Sequence, residues 1–315
     1  MSEAGRGTGL IFLGSGSFAV PLLNALASDC RWSVECVVTR PDARAGRGLA
    51  RRESPVASAA SGLGIEVFKT AGLGAEARLR LGGIHARAAV AADFGLRIPR
   101  WVLDLPEKGV VNVHPSLLPR YRGPSPVAWT ILNGDRETGV TFMLTDEGWD
   151  TGPILAAIPH EVRLDDTSGS LAQRLSSIAS LNISSILEDY ISGRIKPCPQ
   201  PVEGTRAPIV PPCDRWLRWN MSAEVLERRV RALQPEPGAL ALFRGRRIEI
   251  CRASSTSSEG PPGRISVSRG AVSVFCGRGA LELLEVRPES RRTMSGRSFA
   301  AGYGHLDGEV MDAPP

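Results

Sequence analysis

The sequence predicts an α/β protein: a doubly wound, mostly parallel β-sheet of the Rossmann-like kind, followed by a small C-terminal β-barrel. Over residues 1–192, apolar runs of strand length alternate with helix-forming stretches, which is typical of a parallel sheet covered by helices. Over residues 214–315, short β-rich runs are separated by Gly, Ser or Arg-Gly turns, which is typical of a barrel of the oligonucleotide-binding (OB) type. The proline-rich stretch 193–213 lies between the two and is predicted to be a linker.

The first domain opens on a predicted buried strand, GLIFL at residues 9–13, which leads into the turn GSGS and a packed helix. The turn is a weak match to a dinucleotide-binding loop, because Ala19 stands where a third glycine is needed. We therefore assign its glycines to a tight strand-to-helix turn. Further strands are predicted at residues 34–38, 65–68, 88–92, 110–113, 139–144 and 154–159, with helices around 54–62, 74–81 and 168–191.

The second domain is predicted to begin with a helix and to continue as a series of short strands. The helix covers residues 223–233, and the strands cover residues 239–243, 247–251, 263–267, 271–275 and 280–286. The chain therefore divides into a domain at 1–192, a linker at 193–213 and a barrel at 214–315.

Positive charge is concentrated in the last third of the chain. Residues 1–205 hold 21 Lys and Arg against 21 Asp and Glu, whereas residues 206–315 hold 17 Arg against 12 Asp and Glu, so the net +5 lies entirely in the second region. A basic region beside a neutral domain favours a polyanionic partner such as RNA, although the same charge also serves solubility.

Composition also narrows the class of protein. No stretch approaches the roughly 18 uninterrupted apolar residues of a membrane span, and the first residues lack the apolar core of a signal peptide. We expect a cytoplasmic protein without membrane contact. The 6 cysteines are widely spaced and form no CxxC pair, so we expect reduced thiols and no metal site.

The segment VNVHPSLLP at residues 111–119 carries the first candidate catalytic residues. Asn112 and His114 are two residues apart on a predicted strand, so both side chains lie on one face and can act on one atom. Pro115 ends the strand, which places His114 at the carboxyl end of the sheet, where ligands bind in this fold class.

A second candidate segment is the polar loop LTDEGWDTGP at residues 144–153, between two apolar runs. It offers the three carboxylates of Asp146, Glu147 and Asp150, and its glycines allow sharp turns. Spacing alone does not show which carboxylate meets His114.

Together, the segments NVHPSLLPRYRGPSP and GDRETGVTFMLTDEGWDTGPIL resemble the folate-dependent formyltransferases. The likeness covers nearly the whole chain. The loop RPDARAGRGLARR and the C-terminal stretch WNMSAEVLERRVRALQPEPGALALFRGRRIEI are similar to the branch of that family that acts on transfer RNA.

The resemblance implies a formyl transfer from 10-formyltetrahydrofolate to an amine, with Asn112, His114 and Asp150 as catalytic residues. Asn112 and a protonated His114 would stabilise the oxyanion that develops when the amine attacks the formyl carbon. Asp150 would orient the imidazole and help to move the proton from the amine to the departing nitrogen.

The same resemblance implies where the folate lies. Its ring would lie in an apolar slot, with Ser116 and the turn Leu117-Leu118-Pro119 bracing the end of the strand beside it. The residues expected to line the slot are Phe94, Gly95, Leu96, Ile98 and Gly148.

For the acceptor, the resemblance implies initiator methionyl-tRNA, bound in part by a basic loop at residues 40–52. The contacts expected there are Arg44, Arg47, Arg51 and Arg52, because the guanidinium fork suits phosphate. The loop and the linker depart from the family pattern, which leaves a small amine (an amino sugar, an amino acid or another amine) as the alternative acceptor. We expect the protein to act as a monomer.

Overall fold

The apolar runs of the first domain form one seven-stranded β-sheet in the computed structural model, which describes residues 7–45 and 50–314. The strands of this sheet and of a small separate hairpin are β1 (Thr8–Gly14), β2 (Trp32–Thr39), β3 (Ala43–Ala45), β4 (Ala50–Arg52), β5 (Val67–Lys69), β6 (Ala88–Ala92), β7 (Val110–His114), β8 (Glu137–Leu144) and β9 (Ile154–Glu161). The helices in the same part of the chain are α1 (Val20–Ser28), α2 (Pro55–Gly62), α3 (Ala75–Leu81), α4 (Arg100–Leu103), α5 (Pro126–Asn133) and α6 (Ser168–Ile191).

The strand order of the sheet is β5-β2-β1-β6-β7-β8-β9, while β3 and β4 pair only with each other. The first five strands of this order, from β5 at the edge to β7, are parallel to one another. Strand β8 pairs antiparallel with β7, and β9 pairs antiparallel with β8. The chain runs outward from β1 to β5 and then returns to place β6 on the other side of β1. The carboxyl ends of β1 and β6 therefore flank the switch point of the topology, where ligands bind in doubly wound sheets. The predicted fold class is confirmed.

One strand begins later than the sequence pattern suggests. The apolar run 65–68 predicts a strand from residue 65, but β5 begins at Val67. The N–H of Ile65 donates to the carbonyl of Ala60 at 3.0 Å and so completes the end of α2. An isolated apolar residue after a helix can therefore belong to the helix terminus.

The core of this domain anchors the ends of its central strands. All five residues of β6 are buried, as expected for the middle of a parallel sheet. Ile11, Val38 and Ala91 belong to one buried cluster with Phe94, which follows β6 directly. Full burial of an aliphatic or aromatic side chain of this size contributes about 1.5–3 kcal/mol. The segment after β6 is thus held against the sheet by its own phenylalanine.

The second part of the chain forms an antiparallel sheet with a helix packed on it. Its strands are β10 (Ala239–Phe243), β11 (Arg246–Thr256), β12 (Ile265–Ser268), β13 (Ala271–Phe275), β14 (Ala280–Pro288) and β15 (Met294–Ser295), and its helices are α7 (Ala223–Ala232) and α8 (Gly296–Gly302). The order is β10-β11-β14-β13-β12, with β15 beside β14. The five predicted strands are confirmed, and Leu226 and Val230 of α7 join their buried core.

Residues 309–312 close this sheet into a barrel. The carbonyl of Glu309 accepts from the N–H of Ile265 at 2.7 Å, and the N–H of Met311 donates to Gly263 at 2.8 Å. The N–H of Asp312 donates to Leu242 in β10 at 2.9 Å. One short segment therefore joins the two edge strands, β12 and β10, and satisfies backbone groups that an open edge would expose.

The contacts within the described residues group them into two compact units. The first contains the described residues up to Pro126 together with Glu137–Glu161 and Ala172–Ala207, and the second contains Val127–Arg136, Val162–Leu171 and the residues from Pro208 onward. In the first unit, Cys198 pairs with Ile154 of β9. Division of the chain by a linker at 193–213 stays a prediction. None of the described helices is long and apolar enough to span a membrane.

Candidate active site

Strand β7 presents Asn112 and His114 on the same face, while Val111 and Val113 are buried on the other. Both polar side chains reach the same carboxylate. The Nδ2 atom of Asn112 donates to Oδ1 of Asp150 at 3.3 Å, and Nδ1 of His114 lies 3.7 Å from Oδ2 of Asp150. The structure therefore brings the three predicted catalytic side chains together at the carboxyl end of β7.

Asp150 differs from the other two acids of its loop in its partners. Asp146 accepts from the hydroxyl of Thr151 at 2.8 Å and from the N–H of Gly148 at 3.0 Å, so its carboxylate forms hydrogen bonds within its own loop. Glu147 is exposed. Asp150 adopts φ 53°, a left-handed conformation that is uncommon for a residue with a side chain, and this turn aims its carboxylate at β7.

A glycine completes the surroundings of that carboxylate. The N–H of Gly123 donates to Oδ2 of Asp150 at 2.8 Å. Gly123 has φ 119°, and a Cβ at this position would lie 2.9 Å from the carbonyl oxygen of Ala207. Only glycine fits there without strain. The carboxylate thus accepts from a backbone N–H and from the Asn112 amide.

The ring of His114 is held from its other side. Its Nε2 atom lies 2.9 Å from the carbonyl oxygen of Tyr121, and a carbonyl oxygen can only accept, so Nε2 carries a proton and donates. Nδ1 is therefore the nitrogen that faces Asp150. Since only 5% of His114 is exposed, the backbone of Tyr121 sets the tautomer and the orientation of the ring.

The loop after β7 is braced by hydrogen bonds. Ser116 is fully buried, and its hydroxyl donates to the carbonyl of Arg120 at 2.7 Å. Its own carbonyl accepts from Thr141 at 2.6 Å, and the Thr141 hydroxyl accepts from the N–H of Leu118 at 3.1 Å. Leu117 packs against Gly139 of β8. These contacts fix the loop that carries Tyr121.

The predicted folate-lining residues lie directly after β6. Phe94 is buried in the core, whereas Leu96 and Ile98 pack against it and remain half-buried, so they keep apolar surface outside it. The hydrogen bond to Asp104 is the main cause of the raised pKa of Arg100, and the charge of Glu147 adds to it.

Three of the four predicted transfer-RNA contacts lie on the paired strands β3 and β4. Arg51 and Arg52 are exposed on β4, and Arg44 of β3 pairs with Arg51 through the backbone. Arg47 lies outside the described residues. Among the residues that the structure describes, no cluster of three or more His, Cys, Asp or Glu side chains could hold a metal ion.

Sequence reasoning missed three residues that build the site: Tyr121, Gly123 and Gln200. Tyr121 acts through its carbonyl, which every residue carries, so residue type gives no signal. Gly123 follows an arginine in a loop rich in turn residues, and a required glycine could have been suspected there. Gln200 is 50 residues from Asp150 in sequence, yet it donates to the Asp150 carbonyl at 3.0 Å.

Comparison with known proteins shows the family to which the chain belongs. A family model described as "Formyl transferase" matches residues 9–186, and one described as "Formyl transferase, C-terminal domain" matches residues 210–304. Methionyl-tRNA formyltransferase from Thermus thermophilus is 40% identical over 299 residues, which cover 94% of this chain and 97% of that protein. The enzyme of the same name from Streptomyces griseus is 38% identical over 306 residues, which cover 96% and 99%.

Solved structures share the fold at lower identity. HypX from Aquifex aeolicus in complex with tetrahydrofolic acid aligns with TM-score 0.64 and 18% identity, covering 95% of this chain and 48% of HypX, so the chain spans about half of that protein. The sugar 3N-formyl transferase WlaRD, solved in the presence of dTDP and 5-N-formyl-THF, aligns with TM-score 0.66 and 14% identity, covering 91% and 100%. These likenesses show a common architecture.

Proposed function

Because the chain belongs to the formyl transferase family, in which its relatives of 38–40% identity are methionyl-tRNA formyltransferases, we propose that it formylates the α-amino group of initiator methionyl-tRNA. The formyl donor is 10-formyltetrahydrofolate. The observation that carries the proposal is the convergence of Asn112 and His114 on the carboxylate of Asp150.

The reaction needs an oxyanion site, and this trio can provide one. The α-amino nitrogen attacks the formyl carbon, a C–N bond forms, and the formyl oxygen becomes negatively charged in a tetrahedral intermediate. The Nδ2 group of Asn112 has two hydrogens and gives one to Asp150, which leaves the other for this oxygen. Nδ1 of His114 lies beyond hydrogen-bond distance of Asp150, so a proton on it can also reach the substrate oxygen.

Collapse of the intermediate needs a proton to move. The bond between the formyl carbon and N10 of the folate breaks, and N10 takes up a proton while the attacking nitrogen loses one. Asp150 accepts hydrogen bonds from Gly123 and Asn112 and lies beside His114. Its carboxylate is therefore placed to take the proton from the attacking nitrogen and to pass it to N10. The products are formyl-methionyl-tRNA and tetrahydrofolate.

Ring orientation is divided between two residues in this proposal. The resemblance assigns it to Asp150, but the 2.9 Å bond from His114 to the carbonyl of Tyr121 serves the same purpose. Asp150 is thereby freed for proton transfer. The pterin lies against the apolar surface of Leu96 and Ile98, and Arg44, Arg47, Arg51 and Arg52 contact phosphates of the acceptor RNA. A cytoplasmic location and a monomeric state stay predictions.

One assay tests the proposal. The protein is incubated with 10-formyltetrahydrofolate and, in separate arms, with initiator methionyl-tRNA, with free methionine and with an amino sugar, and the arm that gains formate is identified. We expect formylation of the transfer RNA only. Formylation of a free amine with no reaction of the transfer RNA would refute the acceptor while leaving the chemistry intact.

A further inference from the structure

Gln200 connects the segment after α6 to the loop that carries Asp150. Its Nε2 atom donates to two backbone carbonyls of that loop, Asp150 at 3.0 Å and Gly152 at 2.7 Å. The two contacts lie at and just after the left-handed residue Asp150. A backbone in such a conformation persists when the surrounding structure holds it. The amide of Gln200 is therefore one of the groups that keep Asp150 turned toward β7.

Arg122 holds the other end of the same amide. Its guanidinium donates to Oε1 of Gln200 from Nη2 at 2.9 Å and from Nε at 3.3 Å. It also donates to the carbonyls of Pro201 at 2.8 Å and Val202 at 3.1 Å. Because both nitrogens point at Oε1, the Gln200 amide cannot flip, and its NH₂ group is directed at the Asp150 loop.

Arg122 lies between two residues that already serve the site. Tyr121 accepts from His114, and Gly123 donates to Asp150. The Arg122–Gln200 pair thus ties the loop that holds the imidazole to the loop that holds the carboxylate. Neither side chain touches His114 or the Asp150 carboxylate in a described contact, so the pair acts on the relative position of the two loops.

We propose that Gln200, fixed by Arg122, is a positioning residue for formyl transfer, which sets the distance between the Asp150 carboxylate and His114. The proposal rests on the proposed function, since it assigns a role within the same site. A displacement on the order of 1 Å of a reacting group can reduce turnover by about 100-fold, so loss of two anchoring hydrogen bonds is sufficient to slow catalysis.

If Gln200 had a purely structural role, it would anchor residues 198–207. Other hydrogen bonds already anchor this segment. The hydroxyl of Thr205 accepts from the N–H of Tyr121 at 2.8 Å. The backbone of Arg122 donates to Thr205 at 2.8 Å and accepts from Ala207 at 2.7 Å. Removal of the Gln200 side chain therefore leaves the segment in place, and the two roles can be distinguished.

The substitution Gln200→Glu distinguishes the contact that Oε1 makes with Arg122 from the contacts that Nε2 makes with the Asp150 loop. A glutamate keeps an oxygen acceptor for Arg122 and adds an ion pair, but it places a second oxygen against the carbonyls of Asp150 and Gly152, which cannot donate. Gln200→Ala removes both contacts. Gln173→Glu is a matched control, because Gln173 is an exposed glutamine on α6 that undergoes the same chemical change.

The experiment measures turnover, KM and the nitrogen chemical shifts of His114 at one fixed pH in the full chain. The chain has 4 histidines, so the His114 imidazole can be followed by nitrogen NMR and assigned by its absence in His114→Ala. For both Gln200 variants we expect kcat to fall by about 10- to 100-fold, with the KM for 10-formyltetrahydrofolate changed by less than about threefold. We also expect a displaced nitrogen chemical shift for His114 in both Gln200 variants, and wild-type values for Gln173→Glu.

Turnover of Gln200→Glu within about twofold of wild type, with unchanged His114 chemical shifts, would overturn the positioning role. So would a loss of turnover in Gln200→Ala that Gln200→Glu restores, because this would attribute the effect to Arg122 alone. If the wild-type protein formylates no acceptor, the proposed function fails, yet the His114 chemical shifts still report whether Gln200 sets the Asp150–His114 distance.

Discussion

Nδ1 of His114 faces Oδ2 of Asp150 across 3.7 Å, while Nε2 of the same ring is committed to the carbonyl of Tyr121 at 2.9 Å. The first distance is too long for a hydrogen bond and the second is ideal for one. The imidazole is therefore anchored at one nitrogen and available at the other. An atom of the substrate can approach Nδ1 without first displacing a protein partner.

His114→Ala is expected to remove formyl transfer while folate binding is retained, because the predicted folate slot lies after β6 and not on this ring. Loss of an acid–base or oxyanion group reduces turnover by about 10²- to 10⁴-fold. Single-turnover formylation and a folate titration of the same preparation measure both quantities. Turnover equal to wild type would exclude His114 from the reaction.

Asp150→Asn is expected to reduce turnover by about 10²- to 10³-fold. The carboxylate accepts from the Gly123 N–H and from the Asn112 amide, so an asparagine NH₂ group meets a donor in either orientation. Asp165→Asn makes the same chemical change at an exposed loop position and is expected to leave kcat unchanged. Equal kcat for the two variants would show that Asp150 is not needed as an acceptor.

Gly123→Ala is expected to destabilise the fold by about 1–3 kcal/mol and to lower turnover. The new Cβ would lie 2.9 Å from the carbonyl of Ala207 at φ 119°, and relief of that contact moves the N–H away from Asp150. Gly64→Ala is the matched control, since Gly64 also has positive φ, 71°, but a Cβ there meets open space. Denaturant unfolding and kcat are compared. If both variants lose equal stability and neither loses turnover, the clash and the site are uncoupled.

Arg47→Ala and Arg51→Ala are expected to raise the KM for methionyl-tRNA and to leave the KM for 10-formyltetrahydrofolate unchanged. Each phosphate contact that is lost reduces the slope of log affinity against log salt by about 1. Arg80→Ala is the control, because it removes an exposed arginine of α3 that forms an ion pair with Glu66. The slope is measured between about 50 and 200 mM salt. A flat salt response of the wild-type protein would argue for a small amine as acceptor.

Five of the 6 cysteines are expected to react with a thiol reagent in two classes, and the half-buried Cys251 lies between them. Cys30, Cys198 and Cys213 are exposed, whereas Cys36 and Cys276 are buried. Burial raises the pKa of each of the last two thiols to about 11, so neither forms thiolate at pH 8. We expect rapid modification of the exposed thiols and full modification of all 6 only after unfolding. Rapid modification of all 6 in the folded protein would contradict this assignment.

The same two thiols imply a loss of stability at alkaline pH. An unfolded chain releases these protons near the ordinary value of 9.0, while the folded protein retains them until about 11. The folded state therefore binds more protons in this window, and the free energy of unfolding falls as pH rises through it. Cys36→Ala is expected to flatten that fall, which denaturant titrations between pH 8 and pH 11 would show. An unchanged pH dependence would contradict the buried-thiol explanation.

The order of strands and helices could be predicted from the sequence, because the length and the period of each apolar run indicate whether it forms a strand or a helix. The runs at 88–92 and 110–113 correspond to β6 and β7. The two-residue period of β7 also predicted that Asn112 and His114 share a face, and their common partner confirms it. Local patterns suffice where a backbone period decides the direction of a side chain.

The carboxylate that meets His114 could not be identified from a local pattern of this kind. Asp146, Glu147 and Asp150 are equal in type and close in sequence, so the residues alone do not rank them, and Asp150 was singled out through the family motif. The structure distinguishes them by a left-handed turn at Asp150 and by the N–H of Gly123. Both depend on how two loops pack, and neither is encoded in a local period.

Composition and periodicity thus establish the sheet, the barrel and the strand that carries Asn112 and His114, because burial and backbone geometry act over a few neighbouring residues. Packing of distant segments establishes the remainder of the site. The Tyr121 carbonyl holds the ring, and Gln200 reaches the Asp150 loop across 50 residues of sequence. Such contacts form only when the folded chain brings backbone groups and distant side chains within hydrogen-bond distance, so no pattern along the sequence predicts them.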